Sequence, residues 1–158
     1  MYTVHAAGGS AMIQAAADAV SDWQHESGES TEPEGRALTP IMLAVTVLTS
    51  IDQNQLEKEL LIKGMSVQDV AVRLARMAQT SGAGGVICSP HEIAAVRAAC
   101  GPGFKIVTPG IRPVWHGSNA VKLGPDYIVV GRPVARAPHP ASAAIRIAEE
   151  IDETIDAS

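Results

Sequence analysis

The sequence predicts an α/β fold: a parallel sheet of about five strands with helices on its outside. Three observations carry this. Short β-branched runs recur near Tyr2, Ile41, Gly85, Lys105 and Tyr127, with helical patterns between most of them. Hydrophobic residues make up 46% of the chain but aromatics only 3%, so the core is built from Ala, Val, Ile and Leu. The last two runs each end in a glycine-bearing turn with an arginine, Pro109-Gly110-Ile111-Arg112-Pro113 and Gly131-Arg132-Pro133.

The elements follow in order. Residues 2–6 read as a strand that Met1 abuts directly, so the expectation is a domain beginning inside its sheet, with no leader. Gly8 and Gly9 then form a turn, and Ser10 is the expected N-cap of a helix over 11–23, its hydroxyl accepting an orphan amide proton. Residues 26–40 are acidic and carry Gly28, Pro33, Gly35 and Pro40, which reads as a flexible loop. The run 41–48 is the strongest strand. It ends in Thr49-Ser50, with Ser50 expected to cap a helix over 53–63 and Thr49 placed to cap or to face a ligand.

Ser66 caps a helix over 67–80, with Val67, Val70, Leu74 and Met77 on one face and Gly82 just past its end. After a strand at 85–88, Ser89-Pro90-His91-Glu92 combines an N-cap serine, proline at the first helical position and glutamate at the third. That helix stops at Gly101. Cys88 reads as a small apolar core residue, and neither cysteine has metal-ligand spacing or belongs to a disulfide framework. A last helix opens at Pro140 and runs to about 155, with Ala144, Ile147, Ala148, Ile151 and Ile155 as its buried stripe.

The totals narrow the function classes. The net charge is −5 with no basic tract, which argues against nucleic acid as a partner. No apolar run reaches membrane-span length and no leader pattern opens the chain, so a cytoplasmic protein is expected. The two arginine turns point to phosphate. Glycine admits a close backbone approach, and arginine grips phosphate with a planar fork. In a (β/α)8 barrel the loops after the last two strands are where phosphate commonly binds. Yet 158 residues fall short of the roughly 200 such a barrel needs.

The segments VHAAGG, LAVTVLTS, GVICS, KIVTPGIRP and DYIVVGRPV, in that order, resemble orotidine 5′-phosphate decarboxylase along nearly the whole chain. The resemblance implies part of a (β/α)8 TIM barrel, strands 4 to 8 with their helices, so that residues 1–158 form one truncated domain. It implies decarboxylation of orotidine monophosphate (OMP) to uridine monophosphate (UMP), in de novo pyrimidine biosynthesis, with no metal or organic cofactor. It implies that Thr49, Arg112, Gly131 and Arg132 contact the nucleotide. The family's catalytic D-x-K-x-x-D is not found in the sequence, so no catalytic residue is assigned. The family's phosphate-gripping glutamine has no counterpart in the short stretch 114–125, where Asn119 is a poor substitute.

Five strands of eight leave two open sheet edges and strip Val45 and Val129 of the wall opposite them. A marginal monomer is expected, or a homo-oligomer, or association with a chain supplying the missing strands. Three functional readings stand together: a shortened decarboxylase completed from elsewhere, a UMP- or phosphate-binding module without turnover, and a degenerate fragment. The pairing of LTS with TPGIRP argues against another phosphate-binding barrel enzyme, such as an epimerase or aldolase.

Overall fold

The computed structural model describes residues 1–26, 40–110 and 123–156. Its strands are β1 (Tyr2–His5), β2 (Met42–Val45), β3 (Gly85–Ile87), β4 (Lys105–Pro109) and β5 (Tyr127–Val129). Its helices are α1 (Gly9–Glu26), α2 (Gln53–Lys58), α3 (Val67–Thr80), α4 (Ile93–Cys100), α5 (Arg132–Ala135) and α6 (Pro140–Asp156). The strands form one parallel sheet in sequence order, β1-β2-β3-β4-β5. This is the α/β arrangement expected, a partial barrel in which β1 and β5 are the sheet's two ends.

Alternate residues of each strand divide between two faces. Met42, Ala44, Val86, Cys88 and Ile106 join Ala75 and Ala78 of α3 and Val96 of α4 in the main core, under the helices. The other face is open toward the sheet's ends. Tyr127 and Val129 lie there in register with Val107 and Pro109 and remain 44% and 48% exposed, while Val45 is half-buried. The inner wall is thus thinly covered at Val129, as the five-strand reading requires. A smaller core of Val47, Leu56, Val70 and Ala71 lies under the segment that links β2 to α3.

Several local expectations are corrected. α1 starts at Gly9, so Ser10 lies inside it and caps nothing; Gly9, at φ 84°, makes the junction with a 3₁₀ turn over Ala6–Gly8. α2 is capped by Asp52 rather than Ser50. The Asp52 carboxylate accepts from the Gln55 amide at 2.8 Å, and the Gln55 side chain accepts from the Asp52 amide at 3.1 Å. α2 ends at Lys58, well short of 63, because the chain reverses through Leu61 at φ 59° and Gly64 at φ 75°.

The fully buried stripe of α3 is Val70, Ala71, Ala75 and Ala78, while Leu74 and Met77 are only half-buried. Alanine lets α3 sit close to α4 and β3. On α6, Ile147 is buried and Ile151 half-buried, but Ala144 and Ala148 are exposed. Among the described residues the sheet ends at β5, and α6 packs on the short α5. The side chain of Ile155 and the loop residues 27–39 lie outside the described residues, as do Arg112 and Asn119.

Other expectations hold. Ser66 caps α3 through a reciprocal box with Asp69. Gly82 follows α3 at φ 90° and Gly101 follows α4 at φ 82°. Gly85 has a steric reason as well: a Cβ there would stand 2.4 Å from the Lys105 carbonyl oxygen and 2.9 Å from Leu43, so β3 needs glycine to lie between its neighbours. Among the described residues no helix is long and apolar enough to cross a membrane.

One polar cluster fixes the last strand. Asp126 precedes β5, and its carboxylate accepts from Arg97 of α4 at 2.5 Å, from Lys105 of β4 at 3.0 Å and from the Ile106 amide at 2.9 Å. Arg97 also donates to the carbonyl of Phe104 at 2.6 Å. Burial alone would raise the Asp126 carboxyl, but the Ile106 amide, Arg97 and Lys105 outweigh it and hold it below the usual carboxylate range. A carboxyl lowered in the folded state stabilises above its unfolded pKa and loses that contribution as pH falls through its folded value. Asp126→Asn is expected to lower the unfolding free energy by about 1–3 kcal/mol at pH 7. Urea titrations should show the gap between variant and parent closing as the pH is taken below 4.

Candidate functional site

A parallel sheet delivers the segment after every strand to the same edge. Here that edge carries Thr46 to Thr49 after β2, Ser89 to Glu92 after β3, Gly110 after β4, and Gly131 with Arg132 after β5. Brought together at one end of the sheet, these are the positions at which α/β proteins take up ligands.

The β2 end is fastened to its neighbour twice. The Thr46 amide and hydroxyl both donate to the Ile87 carbonyl, at 3.1 and 3.0 Å. Beyond it, Leu48 and Thr49 turn outward and are exposed. Thr49 lines a cavity of about 360 Å³ together with Gln53, Ser66, Ser89, His91 and Glu92. Gln53 is held in place, accepting from the Val67 amide at 3.1 Å and donating to the Met65 carbonyl at 3.0 Å.

The β3 end is a tight polar turn. The Ser89 amide donates to Glu92 Oε2 at 2.9 Å, and the Ser89 hydroxyl accepts from the His91 amide at 3.4 Å. This is the expected capping box, but it closes a 3₁₀ turn over Pro90–Glu92 before α4 begins at Ile93. Glu92 is 3% exposed. Burial pushes its carboxyl up, against the opposing pull of the Ser89 amide and of His91.

Just before this turn, Cys88 is fully buried, and burial followed by the nearby Glu92 charge pushes its thiol up to about 12. The Thr108 hydroxyl beside it is also fully buried and has no hydrogen-bond partner among the described residues; the Cys88 thiol is its weak polar neighbour. We regard the pair as a packing contact, since a thiol is too poor an acceptor to count as full satisfaction.

The β4 and β5 ends are glycine turns. Gly110 has φ 75°, a left-handed conformation that side chains resist. Gly131 has φ −99° and ψ −92°, and a Cβ there would meet nothing within 4 Å among the described residues. Neither φ nor packing among the described residues therefore requires glycine at 131. Arg132 opens α5 and is exposed.

Of the four residues expected to contact ligand, Thr49, Gly131 and Arg132 stand on this one edge, and Arg112 lies outside the described residues. Thr49 shares its cavity with Glu92, whereas Gly131 and Arg132 are not among the residues lining it. Sequence reasoning read Glu92 only as a capping residue. Its burial beside Thr49 had no local signal, because it depends on how β2 and β3 meet.

The profile of the "Orotidine 5'-phosphate decarboxylase / HUMPS family" matches residues 1–147. The chain belongs to that family. It is 45% identical over 97% of its length to an orotidine 5′-phosphate decarboxylase of Syntrophomonas wolfei, covering 65% of that protein. A second such protein, from Heliobacterium modesticaldum, is also 45% identical over 97% of the chain, which covers 63% of it. The crystal structure of an orotidine 5′-phosphate decarboxylase from Lactobacillus acidophilus superposes with a TM-score of 0.76 at 39% identity, covering 94% of this chain and 62% of that one. The chain thus spans less than two thirds of the relatives it matches, and the decarboxylase family's barrel is seen here in part.

A buried thiol with so high a pKa is a poor nucleophile. Cys88 is expected to stay unmodified by iodoacetamide at pH 8 in the folded chain and to react once urea unfolds it. Peptide mass spectrometry reads both states, and rapid labelling of folded Cys88 would contradict the packing described.

Proposed function

We propose that this chain is the nucleotide-holding part of an orotidine 5′-phosphate decarboxylase. In this reading residues 1–158 form one domain equivalent to strand 4 through helix 8 of the barrel. A pyrimidine nucleotide, OMP or UMP, lies across the C-terminal edge of the sheet. Gly131 and Arg132 hold its phosphate together with Arg112, and Thr49 contacts the nucleoside. No metal or organic cofactor takes part, and the protein works in the cytoplasm.

The observation that supports this best is the end of β5. Gly131 is a glycine that neither its φ nor its packing among the described residues demands, followed directly by an exposed arginine. A bare backbone beside a guanidinium suits a dianionic phosphate: the amide can approach the oxygens closely, and the fork supplies two charge-assisted hydrogen bonds. The adjacent strand β4 is followed by Gly110, which would give the neighbouring turn a second close approach.

The chemistry itself needs a proton donor for the carbanion left when carbon dioxide departs. In the family the lysine of D-x-K-x-x-D fills that role, and the 158 residues contain no such motif. Turnover in this reading therefore uses a D-x-K-x-x-D segment from outside these residues, in the same protein or in a partner that pairs with the free edges of β1 and β5. The absence of the motif equally favours a second reading, a nucleotide binder without turnover. Adding a polypeptide that carries strands 1 to 3 of a relative separates the two. Carbon dioxide release from OMP supports the first, and undisturbed binding without release supports the second.

The binding step is tested by titrating the chain with UMP in a calorimeter. Arg132→Ala is expected to weaken binding by about 10–100-fold, the worth of a charged hydrogen-bonding pair. Equal affinity in variant and parent would remove the phosphate site from β5.

A further inference from the structure

Three reciprocal capping boxes stand among the described residues: Asp52 with Gln55, Ser66 with Asp69, and Ser89 with Glu92. All three perform the same local task, supplying an acceptor for an amide at the start of a helical turn. The first two do so at the surface, where Asp69 is exposed and Gln55 half-buried. Only the third buries its carboxylate, with Glu92 at 3% exposure. Burying a carboxylate is costly, and a cap alone does not require it.

The location supplies the difference. Glu92 lies in the wall of the cavity that contains Thr49, and the atom it holds is the amide of Ser89, which lines the same cavity. In a low-dielectric surrounding a hydrogen bond to a carboxylate is stronger and its geometry narrower than at the surface. Ser89 also follows Cys88, which is fixed by its amide donating to the Val107 carbonyl at 3.1 Å. The turn is thereby held from both ends, through the sheet on one side and through Glu92 on the other.

We propose that Glu92 is a positioning residue of the nucleotide site: through the Ser89 amide it fixes the turn after β3 as the cavity wall facing Thr49. The proposal rests on the reading that Thr49 contacts nucleotide. Glu92 itself touches neither the phosphate turns nor any reacting atom in this account. It acts by keeping Ser89 in one place, so that nucleotide meets a preformed wall.

The test compares UMP affinity of the chain with that of Glu92→Ala, Glu92→Gln and Asp126→Asn, by calorimetry at a temperature where circular dichroism shows each variant folded. Glu92→Ala is expected to bind about tenfold more weakly. Glu92→Gln keeps an acceptor for the Ser89 amide and should remain within about twofold of the parent. Asp126→Asn removes stability at the opposite end of the strands and should bind like the parent, separating positioning from a general loss of stability. Should Glu92→Ala not fold, Glu92→Asp, one methylene short of the Ser89 amide, is expected to show the same weakening. Parental affinity in Glu92→Ala or Glu92→Asp overturns the inference and leaves the nucleotide reading intact. Loss of affinity in Asp126→Asn equal to that in Glu92→Ala also overturns it. No UMP binding by the parent chain overturns both.

Discussion

Each strand of this sheet runs in the same direction as its neighbour, and the ladder from Tyr2 against Met42 to Pro109 against Val129 holds that direction across all five. Parallel pairing has one consequence for every segment that follows a strand: it emerges at the same edge. Thr49, Ser89, Gly110 and Gly131 are far apart in sequence but are collected there by the ladder alone. The opposite edge does different work. Asp126 ties α4, β4 and the start of β5 together through Arg97 and Lys105. In the proposed function, stability and ligand contact thus fall at opposite ends of the same strands, a division common to barrels of this kind.

The ladder is not closed among the described residues. β1 and β5 each have one partner, and the apolar side chains on the inner face of β5 are half-exposed. Helix α6 shows the same condition from outside, with Ile145 61% exposed and Ala144 and Ala148 of its apolar stripe uncovered. A sheet in this condition gains free energy by covering those surfaces, at about 25 cal/mol for each Å² of apolar area removed from water. Open strands also offer unpaired backbone groups to any compatible strand. Completion of the sheet and completion of the active site are therefore the same event in the proposed function, since the segment that would pair with the free edges is the one that carries the catalytic lysine.

In the proposed function, glycine and arginine divide the labour by size and charge: glycine leaves room for a ligand to approach the backbone, and arginine supplies the charge that would hold it. The turn after β3 works differently. It is closed by a buried carboxylate that accepts from the Ser89 amide rather than opened by a missing side chain.

Much of this was legible in the residues themselves. The five strands, the caps at Ser66 and Ser89, and the stops at Gly82 and Gly101 depend on periodicity and on local backbone chemistry, which a sequence states directly. Gly110 after β4 and Gly131-Arg132 after β5 were legible for the same reason. Errors fell where two signals lay close together: Ser50 and Asp52 both offer a cap, and the reversal at Leu61 rather than propensity decides where α2 ends. The stripe on α6 was periodic, yet Ala144 and Ala148 are exposed while Ile147 is buried, because burial belongs to the partner surface and not to the helix. Tertiary structure alone decided that Thr49 and Glu92 share a cavity, that Gly85 is crowded by Lys105, and that Asp126 meets Arg97. Those facts arise from the register between strands distant in sequence, and no local pattern encodes the distance between two side chains that only the folded sheet brings together.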